Sequence, residues 1–390
     1  MTQTYNVLPI AQALLRVPSI TPHDNGAMDV LIAALTPLGF ECEKLFFTGN
    51  DGPDTWNLWA TRKGKEPGPH FCFAGHTDVV PAGDVAAWKH DPFGAEIEDG
   101  ILYGRGAVDM KGGIAAFIAA MEQFPEHPGT LSLLITGNEE GVPNNGTPRV
   151  LTWLKEKDIK ITHCLVGEPT SESRIGDTIK NGRRGSFSGE LIVHGVQGHV
   201  AHPHRALNAN HLMAQILARL TGQPIDGGNH DFPASTLQVT DMKTLGETAT
   251  NVVPAIARAE FNIRYNTLQT PDTLAFWLKR EIDAVIKPVT GASYELKTRN
   301  SASAFLTPPG AYVQLVSEAV MQETGMVVTL ATNGGTSDAR FIKDHCPVIE
   351  LGLKNSLAHH VDEAVPVDDL NRLCAIYHRI LKRYFMEIRS

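Results

Sequence analysis

Apolar and polar positions along this chain fall into two rhythms. In the first, helical and strand-like stretches alternate. Residues 6–17 and 28–38 carry apolar side chains at helical spacing, the second stretch closing at Gly39, whereas 57–62 and 70–74 read as strands. A Gly-rich loop then leads into a helix over 110–124, followed by a buried strand over 131–136, a helix over 150–156 and a short apolar strand over 163–166. Such alternation predicts a largely parallel or mixed sheet covered by helices. The polar residues that follow each strand then collect on one edge of the sheet, where open α/β folds place their sites.

Between residues 185 and 299 the rhythm changes. A strand over 186–194, a helix over 207–220, strands over 235–241 and 255–265, a helix over 273–286 and a strand over 294–298 give the order βαββαβ. That is a ferredoxin-like unit, with helices on one face of its sheet and an open face or edge on which a second subunit can pair. After residue 301 the first rhythm returns, with a helix over 311–323, strands over 327–331 and 348–351, and a last helix over 368–386. The expected architecture is therefore α/β. A catalytic domain of residues 1–184 and 300–390, a mixed sheet flanked by helices, is interrupted by an inserted ferredoxin-like dimerisation domain of residues 185–299.

Composition narrows the partners. With 42% hydrophobic and 20% charged residues, this is an ordinary globular chain. A net charge of -9 without any Lys/Arg-rich block argues against nucleic acid or an anionic membrane as partner, so an anionic substrate has to be held by local arginines. The longest apolar stretches, such as 114–121, are far shorter than a membrane span, and no basic flank with an apolar run opens the chain; the expected location is the cytoplasm. Cys42, Cys72, Cys164, Cys346 and Cys374 are odd in number and form no CxxC pair, which reads as reduced thiols, buried rather than ligating.

Candidate chemistry lies where strands end. The run Phe71-Cys72-Phe73-Ala74-Gly75 delivers His76 and, two residues on, Asp78. A zinc-bound imidazole usually gives its other ring proton to a carboxylate, the role Asp78 is placed for, although His-x-Asp also suits a capped turn beside a solvated acid. Asp109 sits in Gly104-Arg105-Gly106-Ala107-Val108-Asp109-Met110-Lys111-Gly112-Gly113, where glycines let backbone approach an ion; it equally suits a helix N-cap. Glu139 and Glu140 follow the strand over 131–136. Neighbouring carboxylates in an irregular turn diverge, so that one can bind metal while the other acts as a base, yet surface Glu pairs are common and mostly inert. Glu168 follows the strand over 163–166 through Gly167, and His359 and His360 follow the strand over 348–351, either being a ligand on spacing alone. Together these sites form an oxygen-rich set with two imidazoles, which suits zinc, with cobalt or manganese as substitutes.

The strings Gly75-His76-Thr77-Asp78-Val79-Val80-Pro81, Gly104 to Gly113 as above, Glu139-Glu140-Gly141 and Val166-Gly167-Glu168-Pro169 resemble the co-catalytic zinc peptidase and deacylase family that contains acetylornithine deacetylase and glutamate carboxypeptidases. The resemblance covers nearly the whole chain. Asn181-Gly182-Arg183-Arg184-Gly185-Ser186, His199-Val200-Ala201-His202-Pro203-His204 and Gly334-Gly335-Thr336-Ser337-Asp338-Ala339-Arg340-Phe341 look most like its desuccinylase branch. It implies a homodimeric amide hydrolase with two Zn2+ per subunit, Co2+ being a possible substitute, and a small dicarboxylate substrate. His76 and Glu168 would bind one ion, Glu140 and His359 the other, and Asp109 would bridge. His359 is preferred over His360 because the family pattern is Asn-Ser-x-x-His. Glu139 would be the general acid/base and Asp78 the partner of His76; His199 from the other subunit would stabilise the oxyanion with Asn251 nearby. Arg183, Arg264, Thr336 and Asn355 would grip substrate carboxylates. Two departures stand out, Gly137-Asn138 where the family has Ser-Asp, and His202 where it has Tyr; neither replaces a ligand.

Overall fold

Apolar runs that end in glycine become the middle strands of one sheet. The computed structural model describes residues 5–49, 51–247 and 249–388. They form two units, one comprising Met1–Asn181, Thr307–Ala331 and Ser337–Ser390, the other Gly182–Leu306 and Thr332–Thr336.

The first unit is built on an eight-stranded sheet in the order Glu41–Phe47, Thr55–Lys63, Thr130–Thr136, His70–His76, His163–Val166, Val348–Glu350, Thr178–Lys180, Thr329–Ala331. The sheet is mixed. Glu41–Phe47 and Thr55–Lys63 run antiparallel to their neighbours, while Thr130–Thr136, His70–His76, His163–Val166 and Val348–Glu350 run parallel. Parallel pairing brings the C-terminal ends of those four strands to the same edge.

Helices cover this sheet. Lys111–Glu122 reads KGGIAAFIAAME and is apolar all round, and all of its residues but Glu122 are buried. The amphipathic helix Val367–Glu387 turns Leu370, Leu373, Cys374, Tyr377, Leu381 and Tyr384 to the core at the expected three- and four-residue spacing. Phe117 from the first helix stacks on Phe73 at 4.1 Å between ring centroids, and Tyr377 from the second meets it edge-on at 5.6 Å. This aromatic packing fixes the strand that ends in His76.

The second unit has a four-stranded antiparallel sheet in the order Thr236–Thr244, Ile256–Tyr265, Gly185–His194, Ser293–Ala302. Helices Ala209–Gly222 and Pro271–Ile286 complete the order βαββαβ. Along Gly185–His194, Phe187, Leu191 and Val193 are buried and alternate with half-buried positions, as expected of a sheet with one covered face. Gly189 lies opposite Phe261, whose ring occupies the space a Cβ would take. Glu41–Phe47, absent from the sequence reading, is the sheet's edge. None of its residues is fully buried, so no clear apolar alternation marks it.

Candidate metal centre

Three parallel strands deliver the first ligands. His76 is the last residue of His70–His76, Glu139 and Glu140 follow Thr130–Thr136, and Glu168 follows His163–Val166. Gly167 is obligatory before Glu168: a Cβ there would collide with Cζ of Phe73. Asp109 comes from the loop ahead of Lys111–Glu122, and His359, at φ 63°, from the turn after Asn355–Leu357.

These side chains converge, and Asp109 lies at the middle. Its Oδ1 is 3.3 Å from Nε2 of His76, which is also 3.7 Å from Oε1 of Glu168. Its Oδ2 is 3.3 Å from Nε2 of His359, which is 2.8 Å from Oε1 of Glu140. The two carboxylate oxygens of Asp109 thus face one imidazole each. His76, Glu139 and Glu168 bring ligand atoms within 4.8 Å of one another, as do His76, Asp109 and Glu140. Neither His359 nor His360 is in these two groups; the contacts of Nε2 with Asp109 and Glu140 are what mark His359.

The donor set fits divalent metal. Nδ1 of His76 lies 2.8 Å from the carbonyl oxygen of Asp78, which can only accept, so that the ring proton is on Nδ1 and the Nε2 lone pair faces two carboxylates. Acceptors facing acceptors need a proton or a cation between them. Buried Oδ1 of Asp109 likewise has no hydrogen-bond donor. An imidazole protonated on both nitrogens can supply such a proton. Burial disfavours charge on His76, but the hydrogen bond with Asp109 and the charges of Asp78 and Glu168 push its pKa well above the ordinary value. Hydrogen bonds with Asp109 and Glu140 push His359 up to about 10. Burial would raise Asp109, but its bonds to His359 and His76 hold it below the usual carboxylate range.

Glu139 differs from these. Burial, followed by the charge of Asp338, pushes its carboxyl up to about 8. A carboxyl with so high a proton affinity next to a metal cluster suits proton transfer. Asp78 departs in detail from its expected role. Its carbonyl, not its carboxylate, is the partner of His76, the nearer carboxylate oxygen being 3.6 Å away. The carboxylate instead accepts the backbone N–H groups of Glu139 and Glu140, fixing the turn from which those two side chains diverge.

Two acidic residues escaped the sequence reading. Glu363 is fully buried and accepts hydrogen bonds from the loop that carries Asp109. Asp338 accepts from Thr147 and lies beside Glu139. Asp338 was legible as part of its Gly-Gly-Thr-Ser-Asp string; Glu363 is one acid in a polar stretch, with nothing local to mark it. At the departure Gly137-Asn138, the Asn138 side chain accepts from Thr21 and donates to the Val142 carbonyl, so the loop is closed without the Ser-Asp pair.

Asn355, exposed, belongs to the same unit as the metal cluster. His199, Asn251, Arg183, Arg264 and Thr336 belong to the second unit. There His199 pairs with Val252 in a short two-stranded ladder, which brings it next to Asn251, and both are exposed. Nδ1 of His199 accepts the N–H of Ala201 at 3.0 Å, which leaves the ring proton on Nε2. Arg183 donates from Nη1 to the carbonyls of Asn333 and Gly335, at 3.3 and 3.2 Å, and so holds the turn before Thr336. Arg264 is half-buried on Ile256–Tyr265, opposite Ser186 and Thr236.

An α/β unit in which strand ends and neighbouring loops gather two imidazoles and a group of carboxylates defines the class, a metal-dependent hydrolase. Residues 72–383 match the model of Peptidase family M20/M25/M40, and the chain belongs to that family. It is 49% identical over 383 residues, 98% of this chain and 96% of the other, to a protein of Parvibaculum lavamentivorans named succinyl-diaminopimelate desuccinylase. A protein of the same name from Rhodospirillum centenum is 50% identical over 382 residues, 97% of each chain. Among solved structures, aminopeptidase PepT from Bacillus cereus superposes with a TM-score of 0.78 at 20% identity, covering 97% of each chain. The YXEP protein of Bacillus subtilis, described as a dinuclear metal-binding peptidase, gives 0.71 at 16% identity over 98% of each chain. Among the described residues no helix is long and apolar enough to cross a membrane.

Proposed function

We propose that this chain is a homodimeric cytoplasmic amidase that hydrolyses N-succinyl-LL-2,6-diaminoheptanedioate to succinate and LL-2,6-diaminoheptanedioate, a step towards lysine and cell-wall precursors. One observation carries the reading: near 50% identity along essentially the full length of enzymes named for that reaction. All five cysteines are free, in keeping with a reducing compartment. On this reading Met1–Asn181, Thr307–Ala331 and Ser337–Ser390 form the catalytic domain, and Gly182–Leu306 is the inserted dimerisation domain.

His76 and Glu168 would hold one ion and Glu140 and His359 the other, with Asp109 between them. Bound there, two divalent ions, zinc with cobalt as a substitute, supply Lewis acidity and lower the pKa of water towards neutrality. The carboxylate of Glu139 takes the proton of the attacking water and returns it to the nitrogen of the leaving amine. His199, lent by the second subunit, donates its Nε2–H to the oxyanion of the tetrahedral intermediate, and Asn251 lies beside it. Ala201 keeps that ring in the donating tautomer. Loss of one such donor commonly costs about 100- to 1000-fold in rate. Arg183, Arg264, Thr336 and Asn355 hold the carboxylates of succinyl group and diamino acid, and Asp78 keeps Glu139 turned away from Glu140.

An assay of zinc-loaded protein on N-succinyl-LL-2,6-diaminoheptanedioate and, side by side, N-acetylornithine tests the reading. The succinyl substrate is expected to turn over faster. Faster hydrolysis of N-acetylornithine overturns the assignment.

A further inference from the structure

Of the five expected ligands, two are carried by loops whose anchor lies elsewhere. His76 ends a strand and Glu168 stands two residues beyond one, both strands being part of the parallel ladder. Glu140 sits in the turn gripped by Asp78. Asp109 and His359 have no such support from the sheet, yet both reach the same side chain. Oε1 of Glu363 accepts the N–H of Val108 at 2.8 Å and of Asp109 at 3.1 Å. Its Oε2 accepts the N–H of Gly106 at 2.9 Å and Nη1 of Arg105 at 2.7 Å. Nη2 of Arg105 in turn lies 3.5 Å from the carbonyl oxygen of His359. Glu363 is 0% exposed and Arg105 2%, and the bonds of Glu363 to Arg105, Gly106 and Val108 are buried, so these do not compete with water.

A buried carboxylate with four donors fixes the shape of the loop it gathers, because each donor left unmet carries a full desolvation cost. We propose that Glu363 is the positioning residue of the metal centre: it sets Asp109 directly and His359 through Arg105, so that the ion held by Glu140, His359 and Asp109 depends on it for two ligands of three, and the ion held by His76, Glu168 and Asp109 for one only. The asymmetry follows from the anchors. The first ion keeps two ligands placed by strands; the second loses the placement of two ligands in three. This inference rests on the two-ion reading above and adds to it a residue that touches neither ion nor substrate.

The test is metal binding itself. Metal-free wild type and Glu363→Gln are titrated with Zn2+ by calorimetry and with Co2+ by its d–d absorption, with circular dichroism recorded to follow the fold. Glutamine keeps one oxygen and sets an NH2 against two of the four donors. Wild type is expected to bind two equivalents. Glu363→Gln is expected to bind one equivalent about 10- to 100-fold more weakly, the usual effect of removing support behind a ligand, and the other with a clearly smaller loss. Equal weakening of both equivalents, the mark of a general structural role, overturns the inference, as does a variant that binds both as wild type does. In either case the two-ion reading survives. A wild-type chain that takes up no metal overturns both. If Glu363→Gln does not fold, Arg105→Lys, which keeps the charge and loses the guanidinium fork, is read in the same way: one equivalent weakens clearly more than the other, and unchanged binding of both overturns the proposal.

Discussion

Glu139 and Glu140 are adjacent in sequence and differ in task because Asp78 accepts both of their backbone N–H groups. Held in that turn, Glu140 reaches His359 at 2.8 Å, while Glu139 lies beside buried Asp338 with its pKa raised. A base that is not itself a ligand can be removed without emptying the site. Glu139→Gln should therefore keep its zinc content by elemental analysis and lose about 100- to 10,000-fold in turnover; near-normal activity would rule Glu139 out as the base. The sequence made His76, Asp109 and the Glu pair legible, since each follows a strand or a Gly-rich turn with a recognisable local pattern. It did not distinguish the carbonyl from the carboxylate of Asp78 as the partner of His76, because both belong to one residue. Glu363 was out of reach for another reason: its partners stand more than 250 positions away, as the separation of 254 between Glu363 and Asp109 illustrates.

Strands place the ligands only as well as their packing allows. The ring of Phe73 is clamped between Phe117, stacked at 4.1 Å, and Tyr377, edge-on at 5.7 Å, so it cannot yield to a methyl group at Gly167. Gly167→Ala should cost about 1–3 kcal/mol by overpacking, read as a lower denaturation midpoint, and should weaken metal binding through the displaced Glu168. A variant with wild-type stability and metal affinity would mean that the strand end is softer than its packing implies. At the start of the strand that carries Phe73, His70 bonds to the Lys160 carbonyl through Nδ1 and to Ser132 through Nε2. Burial lowers its pKa from 6.5 to about 4. Above pH 6.5 the ring is neutral in folded and unfolded chains alike, and the full stability is present. Between 6.5 and 4 the unfolded chain takes up a proton that the folded chain refuses, so stability falls with pH, by about 3 kcal/mol at most. His70→Gln should flatten that part of the curve of midpoint against pH, and an unchanged curve would exclude His70 as a source of acid sensitivity.

For the molecule as a whole, the change of rhythm near residue 185 was the legible signal. Strands buried on both faces, such as residues 131–136, need cover on both, and the alternation along Gly185–His194 needs it on one. What remained illegible was the short return Thr332–Thr336 to the second unit, a polar turn held by Arg183 whose membership depends on a contact formed only in the fold. The division of labour proposed for the two units leads to an experiment that single variants cannot replace. Glu139 lies in one unit and His199 in the other, and each variant alone should be inactive. If His199 serves the site of the second subunit, a dimer with Glu139→Ala in one chain and His199→Ala in the other has one site damaged twice and one intact. Random re-pairing of equal amounts makes half of the dimers mixed, so that about a quarter of wild-type activity should return in such a two-fold assembly. If His199 serves its own subunit, every mixed dimer has two sites with one lesion each, and nothing returns. Subunit exchange followed by native mass spectrometry establishes that mixed dimers have formed, and absence of rescue among them would move His199 back to its own chain.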